Sequence, residues 1–159
     1  MDYRLILIVI LSMLPLVELR GGLPLGIIYA NEQGIPIIFT ISLAILANIL
    51  VVFVAFYFLD KVHCLFLRNK TYKRLFEAYA KRTQKKVDSL KEKYLTLGFL
   101  ALAIFVAIPL PGTGAWTGVF ISWILGLDRK KSILSISLGV IGAGIIVTLA
   151  TLGIINLLV

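Results

Sequence analysis

The amino-acid sequence predicts an all-α integral membrane protein built as an inverted repeat, each half a re-entrant helical hairpin plus one transmembrane helix, with a cytoplasmic amphipathic helix between the halves. Three observations predict it. Apolar residues make up 60% of the 159 positions and the mean hydropathy is +1.01, above the roughly one-half apolar content of soluble domains. These residues fall into four blocks, two of which are interrupted by prolines and glycines. The net charge of +8 is concentrated, since residues 60–94 hold eleven Lys/Arg against four acids and so carry +7 of it.

Taken in order, the first repeat covers 1–59. It comprises an apolar run at 4–14, the interruption P-L-V-E-L-R-G-G-L-P-L-G at 15–26, a short piece at 27–30, the polar turn A-N-E-Q-G at 30–34, and an apolar helix at 35–59. The start resembles a signal peptide, but no small-x-small cleavage site follows the run, so it is read as mature protein. The second repeat, 95–159, has the same order: 95–108, then P-L-P-G-T-G at 109–114, 115–127, the turn D-R-K-K at 128–131, and 132–158. Hairpins are therefore expected at 4–30 and 95–127, and spanning helices at 35–59 and 132–158.

Only the two long blocks reach the ~20 apolar residues that a crossing helix needs. A run of 14 residues rises about 21 Å, short of a hydrocarbon core of roughly 30 Å but past its midplane. Charge supports the same reading. If each interrupted block crossed outright, residues 60–94 and the basic turn 128–131 would lie on opposite sides, against the tendency of basic loops to stay inside. Blocks that dip in and return place both basic segments in the cytoplasm and both chain ends outside. Non-helical backbone at membrane depth is tolerated only where protein or a polar cavity satisfies it. Two interruptions facing each other would share one such cavity.

Within 60–94, Tyr72, Leu75, Phe76, Tyr79, Val87, Leu90 and Tyr94 recur at helical spacing with Lys and Arg opposite. This predicts an amphipathic helix against anionic headgroups on the cytoplasmic surface; a coiled-coil partner is the alternative. Beside membrane helices, a basic segment points to lipid rather than nucleic acid. Cys64 stands alone and only His63 accompanies it, too few ligands for a structural metal site. No nucleophilic triad and no phosphate-binding Gly-rich loop occurs, so neither an enzyme nor a cofactor is expected.

Glu18 and Arg20 are the charges inside the hydrophobic blocks, and ionisable groups at membrane depth mark ion or substrate pathways. Arg20 offers a planar fork of donors for phosphate or carboxylate. Glu18 is the candidate proton coupler, because burial and the neighbouring arginine pull its proton affinity in opposite directions. A merely structural Glu18–Arg20 pair is the alternative. Gly21, Gly22 and Pro24 complete the first candidate loop. Pro109, Pro111, Gly112, Thr113 and Gly114 form the second, where glycines allow close approach of backbone and a helix starting near Ala115 would offer amide donors to an anion. Small residues recur four apart at Ser135, Gly139 and Ala143, and at Thr40, Ala44 and Asn48, as packing faces. The first of these stripes predicts a homodimer contact. Trp116 and Trp123 suit either an interface or a cavity wall.

The runs E-L-R-G-G-L-P (Glu18 to Pro24) and P-L-P-G-T-G-A-W-T-G (Pro109 to Gly118) resemble the small multi-drug export protein family, over nearly the whole chain. That family is similar to the larger DedA superfamily, whose members share paired re-entrant hairpins and are implicated in proton-coupled movement of polyprenyl-phosphate or other lipids. DedA proteins carry arginines around the Pro-Gly of the second hairpin; here Ile108, Leu110 and Thr113 stand there, which leaves Arg20 as the in-membrane cation. The resemblance implies a transporter or flippase, proton-coupled, for an amphiphile with an anionic head such as an isoprenoid lipid phosphate. An exporter of lipophilic cations and a non-transporting membrane scaffold are the alternatives.

Overall fold

A computed structural model describes residues 3–15, 17–66 and 92–158. Among these residues every regular element is an α-helix: α1 (Tyr3–Met13), α2 (Glu18–Gln33), α3 (Ile37–Phe66), α4 (Glu92–Ala107), α5 (Ala115–Ile124) and α6 (Arg129–Leu158). The order short, short, long occurs twice. The expected amphipathic helix falls mostly within 67–91, outside the described residues.

The helix boundaries follow local chemistry. Gly34 ends α2 in a left-handed conformation (φ 67°), its N–H donating to the Ala30 carbonyl, a backbone state that glycine adopts without a Cβ penalty. Pro36 then precedes α3, where a residue without an N–H costs nothing. Asp128 starts α6 by accepting the Lys131 N–H at 2.8 Å, as an N-cap carboxylate does. Gly112, at φ 84° with open space around it, turns the chain between α4 and α5.

Two expectations about boundaries are corrected. Helix α1 ends at Met13 and α2 already begins at Glu18, so Gly21, Gly22 and Pro24 lie within α2 rather than in a loop. Pro24 sits inside the helix because burial of Leu19, Leu23 and Ile27 on one face outweighs the missing hydrogen bond. The helix expected at 35–59 continues to Phe66, since Asp60, Lys61 and His63 end the apolar run but do not break a helix.

Helices α3 and α6 are 30 residues each, about 45 Å long, and both are apolar and long enough to cross a membrane. The other four are 11, 16, 16 and 10 residues, none above about 24 Å. Large apolar side chains such as Ile38, Leu46, Phe53, Leu134, Ile145 and Leu149 are exposed along both long helices, as a lipid-facing surface requires.

The first hairpin closes on itself. The Arg4 guanidinium lies 5.8 Å from the Tyr29 ring centroid, and Leu5, Ile8 and Tyr29 pack together, so the start of α1 meets the end of α2. In the second half α4 packs along α6, and the Lys131 ammonium lies 5.9 Å from the Phe99 ring. The middle of α4 is thus beside the start of α6, one turn after α5 ends. At that same end Asp60 of α3 accepts the Arg129 guanidinium at 2.7 Å and the Trp123 indole at 3.1 Å.

Glycines set the closeness of packing. A Cβ on Gly22 would fall on Ser12 of α1, and one on Gly26 would lie 2.7 Å from Thr40 of α3. One on Gly139 would lie 2.6 Å from the Ala103 carbonyl oxygen of α4. The stripe Ser135, Gly139 and Ala143 is buried inside the chain, so it does not form the homodimer face expected of it. The reason is α4, which occupies that face first.

Candidate functional site

The two hairpin tips meet, and side chains satisfy backbone groups left open at each break. Helix α1 ends at Met13, and a helix end leaves carbonyls without intrahelical donors. The Ser12 carbonyl accepts from Asn48 Nδ2 of α3 at 2.7 Å, and the Met13 carbonyl accepts from the Trp116 indole N–H of α5 at 3.0 Å. In the other direction, the free amides that begin α5 receive the carboxylate of Glu18, with Trp116 N–H donating to Oε1 at 3.3 Å. Each broken hairpin therefore caps the other.

Glu18 is 6% exposed and has φ 48°. An L-residue in this left-handed region costs about 1–2 kcal/mol, so the contacts of its carboxylate must hold it there. Arg20, one half-turn on, donates to Thr113 Oγ1 at 2.7 Å. That hydroxyl in turn donates within its own turn, to the Ile108 carbonyl at 2.6 Å, with the Leu110 carbonyl a second acceptor at 2.8 Å. The Leu110 N–H also points at it, at 3.3 Å. Thr113 thus ties the Pro109–Gly114 turn together and presents one lone pair to the arginine.

Glu18, Arg20, Asn48, Gly114, Ala115, Val106, Val140 and Ala143 surround a cavity of about 10 Å³, the size of a single water. Asn48 lies in the middle part of α3, and Val140 and Ala143 lie in the middle of α6, so the cavity sits about half-way along the two long helices. An apolar wall with a few converging polar groups is the usual make-up of a binding site. At this size the tips must part before a ligand head can enter.

Of the residues expected at the site, Glu18, Arg20, Thr113 and Gly114 come together. Gly22 instead serves helix packing, being buried against Ser12, and a Cβ on Gly21 would fall on the Val17 side chain. Pro24 is half-buried further along α2, Pro109 is half-buried, and Pro111 and Gly112 are exposed in the turn. Asn48 and Trp116 are the residues whose roles sequence reasoning missed. Asn48, 2% exposed, had a signal: a side-chain amide inside a long apolar helix. For Trp116 the signal was its place two residues after Gly114. Trp123 lies elsewhere, on Asp60 and edge-on to His63 at 5.2 Å. Among the described residues no group of His, Cys, Asp and Glu could hold a metal ion.

Two helices long and apolar enough to span a bilayer stand beside two shorter pairs whose tips border a cavity lined by Glu18 and Arg20, an arrangement compatible with a membrane protein. The chain belongs to the family described as Putative small multi-drug export protein, whose sequence profile matches residues 18–146. This match places it in the coarse class of membrane exporters. No curated protein and no solved structure matches it.

Proposed function

We propose that the protein is a proton-coupled exporter or flippase for an amphiphile with an anionic head, an isoprenoid lipid phosphate being the model cargo. Its head would bind between Arg20 and the Pro109–Gly114 turn while its tail stays in lipid. The observation that carries this reading is the Arg20 to Thr113 contact at 2.7 Å. It brings a forked cation to a turn that also starts a helix, about half-way along both long helices, where an anion gains from the cation and from the helix amides together. Glu18, on the same amides, is the proton-coupling group of this proposal.

The proposal includes re-entrant hairpins related by inversion, with both termini outside and residues 60–94 and 128–131 cytoplasmic. The repeated order short, short, long supports it, as does the length of the hairpin helices among the described residues, at most about 24 Å. The Asp60 to Arg129 contact supports a common side for the two basic segments. Kinship with the DedA superfamily rests on the same paired hairpins. We also infer a homodimer, formed through a face other than the Ser135–Gly139–Ala143 stripe, because two spanning helices make a thin wall around a polar site.

Flux in proteoliposomes tests this reading, with farnesyl phosphate and tetraphenylphosphonium compared, each with and without a pH gradient. Gradient-driven flux of farnesyl phosphate that disappears in Arg20→Gln is expected. Flux of tetraphenylphosphonium alone, lost in Glu18→Gln, would instead support a cation exporter. No flux of either would favour the scaffold.

A further inference from the structure

Two glycines of the second tip differ in what they are for. Gly112 has φ 84° and open space around it, so the backbone asks for glycine there. Gly114 has φ −92° and ψ −165°, an extended conformation open to any residue, so its backbone needs no glycine. What needs it is the neighbour. A Cβ on Gly114 would overlap Oε1, Oε2 and Cδ of Glu18 together.

We propose that the Glu18 carboxylate is a built-in occupant of the anion site, seated in the space that glycine at 114 leaves open, and that an anionic cargo head binds by displacing it. This rests on the proposed cargo class and adds how the site is regulated. The seat offers the Trp116 N–H, the amino end of a 10-residue helix and, across the same turn, the Arg20 guanidinium. These are the donors a phosphate monoester would use; a buried carboxylate from the opposite hairpin already holds the Trp116 N–H, while the guanidinium rests on Thr113. Glu18 remains in a left-handed backbone conformation while doing so. The cavity of about 10 Å³ left beside it excludes a head group until the carboxylate moves. Carboxylate and cargo then exclude each other, and this exclusion is itself a coupling mechanism: the head enters as Glu18 leaves.

A mutant cycle on the full-length purified protein tests the seat without any ligand. Gly114→Ala should lower the melting temperature in the wild type and in Glu18→Gln, whose amide fills the same space. In Glu18→Ala the same methyl should be tolerated with little or no loss, because it enters an emptied seat. An equal loss in all three backgrounds overturns the seat. Binding of farnesyl phosphate, and of inorganic phosphate as the tail-less arm, then tests displacement. Glu18→Ala should bind farnesyl phosphate roughly tenfold tighter than wild type, the scale of one hydrogen bond to a charged group. Tightening toward inorganic phosphate as well would assign the head alone to the site; tightening toward farnesyl phosphate only would assign the lipid. Unchanged or weaker binding in Glu18→Ala, with Arg20→Gln still losing it, overturns displacement and leaves the cargo class standing. Absence of farnesyl phosphate binding in wild type and in Glu18→Ala alike removes the cargo class, and displacement with it.

Discussion

Thr113 is the residue on which the second tip depends. Its hydroxyl joins the Ile108 carbonyl to the Arg20 guanidinium, so Thr113→Val removes a donor and an acceptor at once while keeping the shape. A loss of about 1–3 kcal/mol is expected, read as a lower melting temperature, and Thr113→Ser should recover most of it. Full recovery by Thr113→Val itself would show that the hydroxyl holds nothing. Arg20 makes a different prediction. Arg20→Lys keeps the charge but replaces a planar fork with a point donor, so it should restore little of the farnesyl phosphate binding that Arg20→Gln abolishes. Binding by Arg20→Lys at the wild-type level would remove the bidentate role. Asn48 serves the first tip in the same way as Thr113 serves the second. Asn48→Leu leaves the Ser12 carbonyl without its donor and should cost about 1–3 kcal/mol.

At the scale of elements, the two broken hairpins act as one unit. The Trp116 indole caps α1 and the Glu18 carboxylate caps α5, so each break receives a side chain from the other, and Asn48 of α3 adds a third such contact. Pairing of this kind removes the cost, about 1–3 kcal/mol for each group, of buried backbone left without a partner. It also explains why a loop inside an apolar run is stable here. Packing of α4 on α6 has a consequence of its own. Gly139→Leu drives a side chain into the Ala103 carbonyl and Val106, and overpacking of this kind costs about 1–3 kcal/mol or more. The expected outcome is a lower melting temperature of the single chain with the oligomeric state unchanged by crosslinking in membranes. A shift from dimer to monomer at unaltered stability would return the stripe to an intermolecular role.

For the whole molecule, the arrangement in the membrane is what the charges bear on. With Cys64 replaced by serine, single cysteines at Asn31 and Arg129, both on exposed positions, can be labelled with an impermeant thiol reagent from either side. Asn31 should label from outside and Arg129 from the cytoplasm. Labelling of both from one side would exclude the re-entrant arrangement. The Asp60–Arg129 pair is half-exposed, and such pairs contribute about 0.2–1 kcal/mol. Its removal should therefore change stability little.

Much of this was legible in the residues themselves. The block lengths distinguished the two long helices from the short ones, because hydropathy is a local property summed along the chain. The second interruption was placed correctly at Pro109–Gly114, since prolines and a positive-φ glycine stop a helix wherever they occur together. The site's charged pair was visible because Glu18 and Arg20 are out of place in an apolar run. Tertiary structure decided what each of them touches. Chain spacing suggested that Glu18 and Arg20 answer each other; in the fold each also bonds to a residue more than ninety positions away. Gly21 to Pro24 carry the letters of a loop, yet burial of Leu19, Leu23 and Ile27 holds them in a helix. The Ser135 stripe announces a close contact but not its partner, which at Gly139 is α4 of the same chain. Breaks in a helix are written locally by proline and glycine; which donor answers each freed carbonyl, and which anion sits on each freed amide, depends on distances through space that only the packed helices fix.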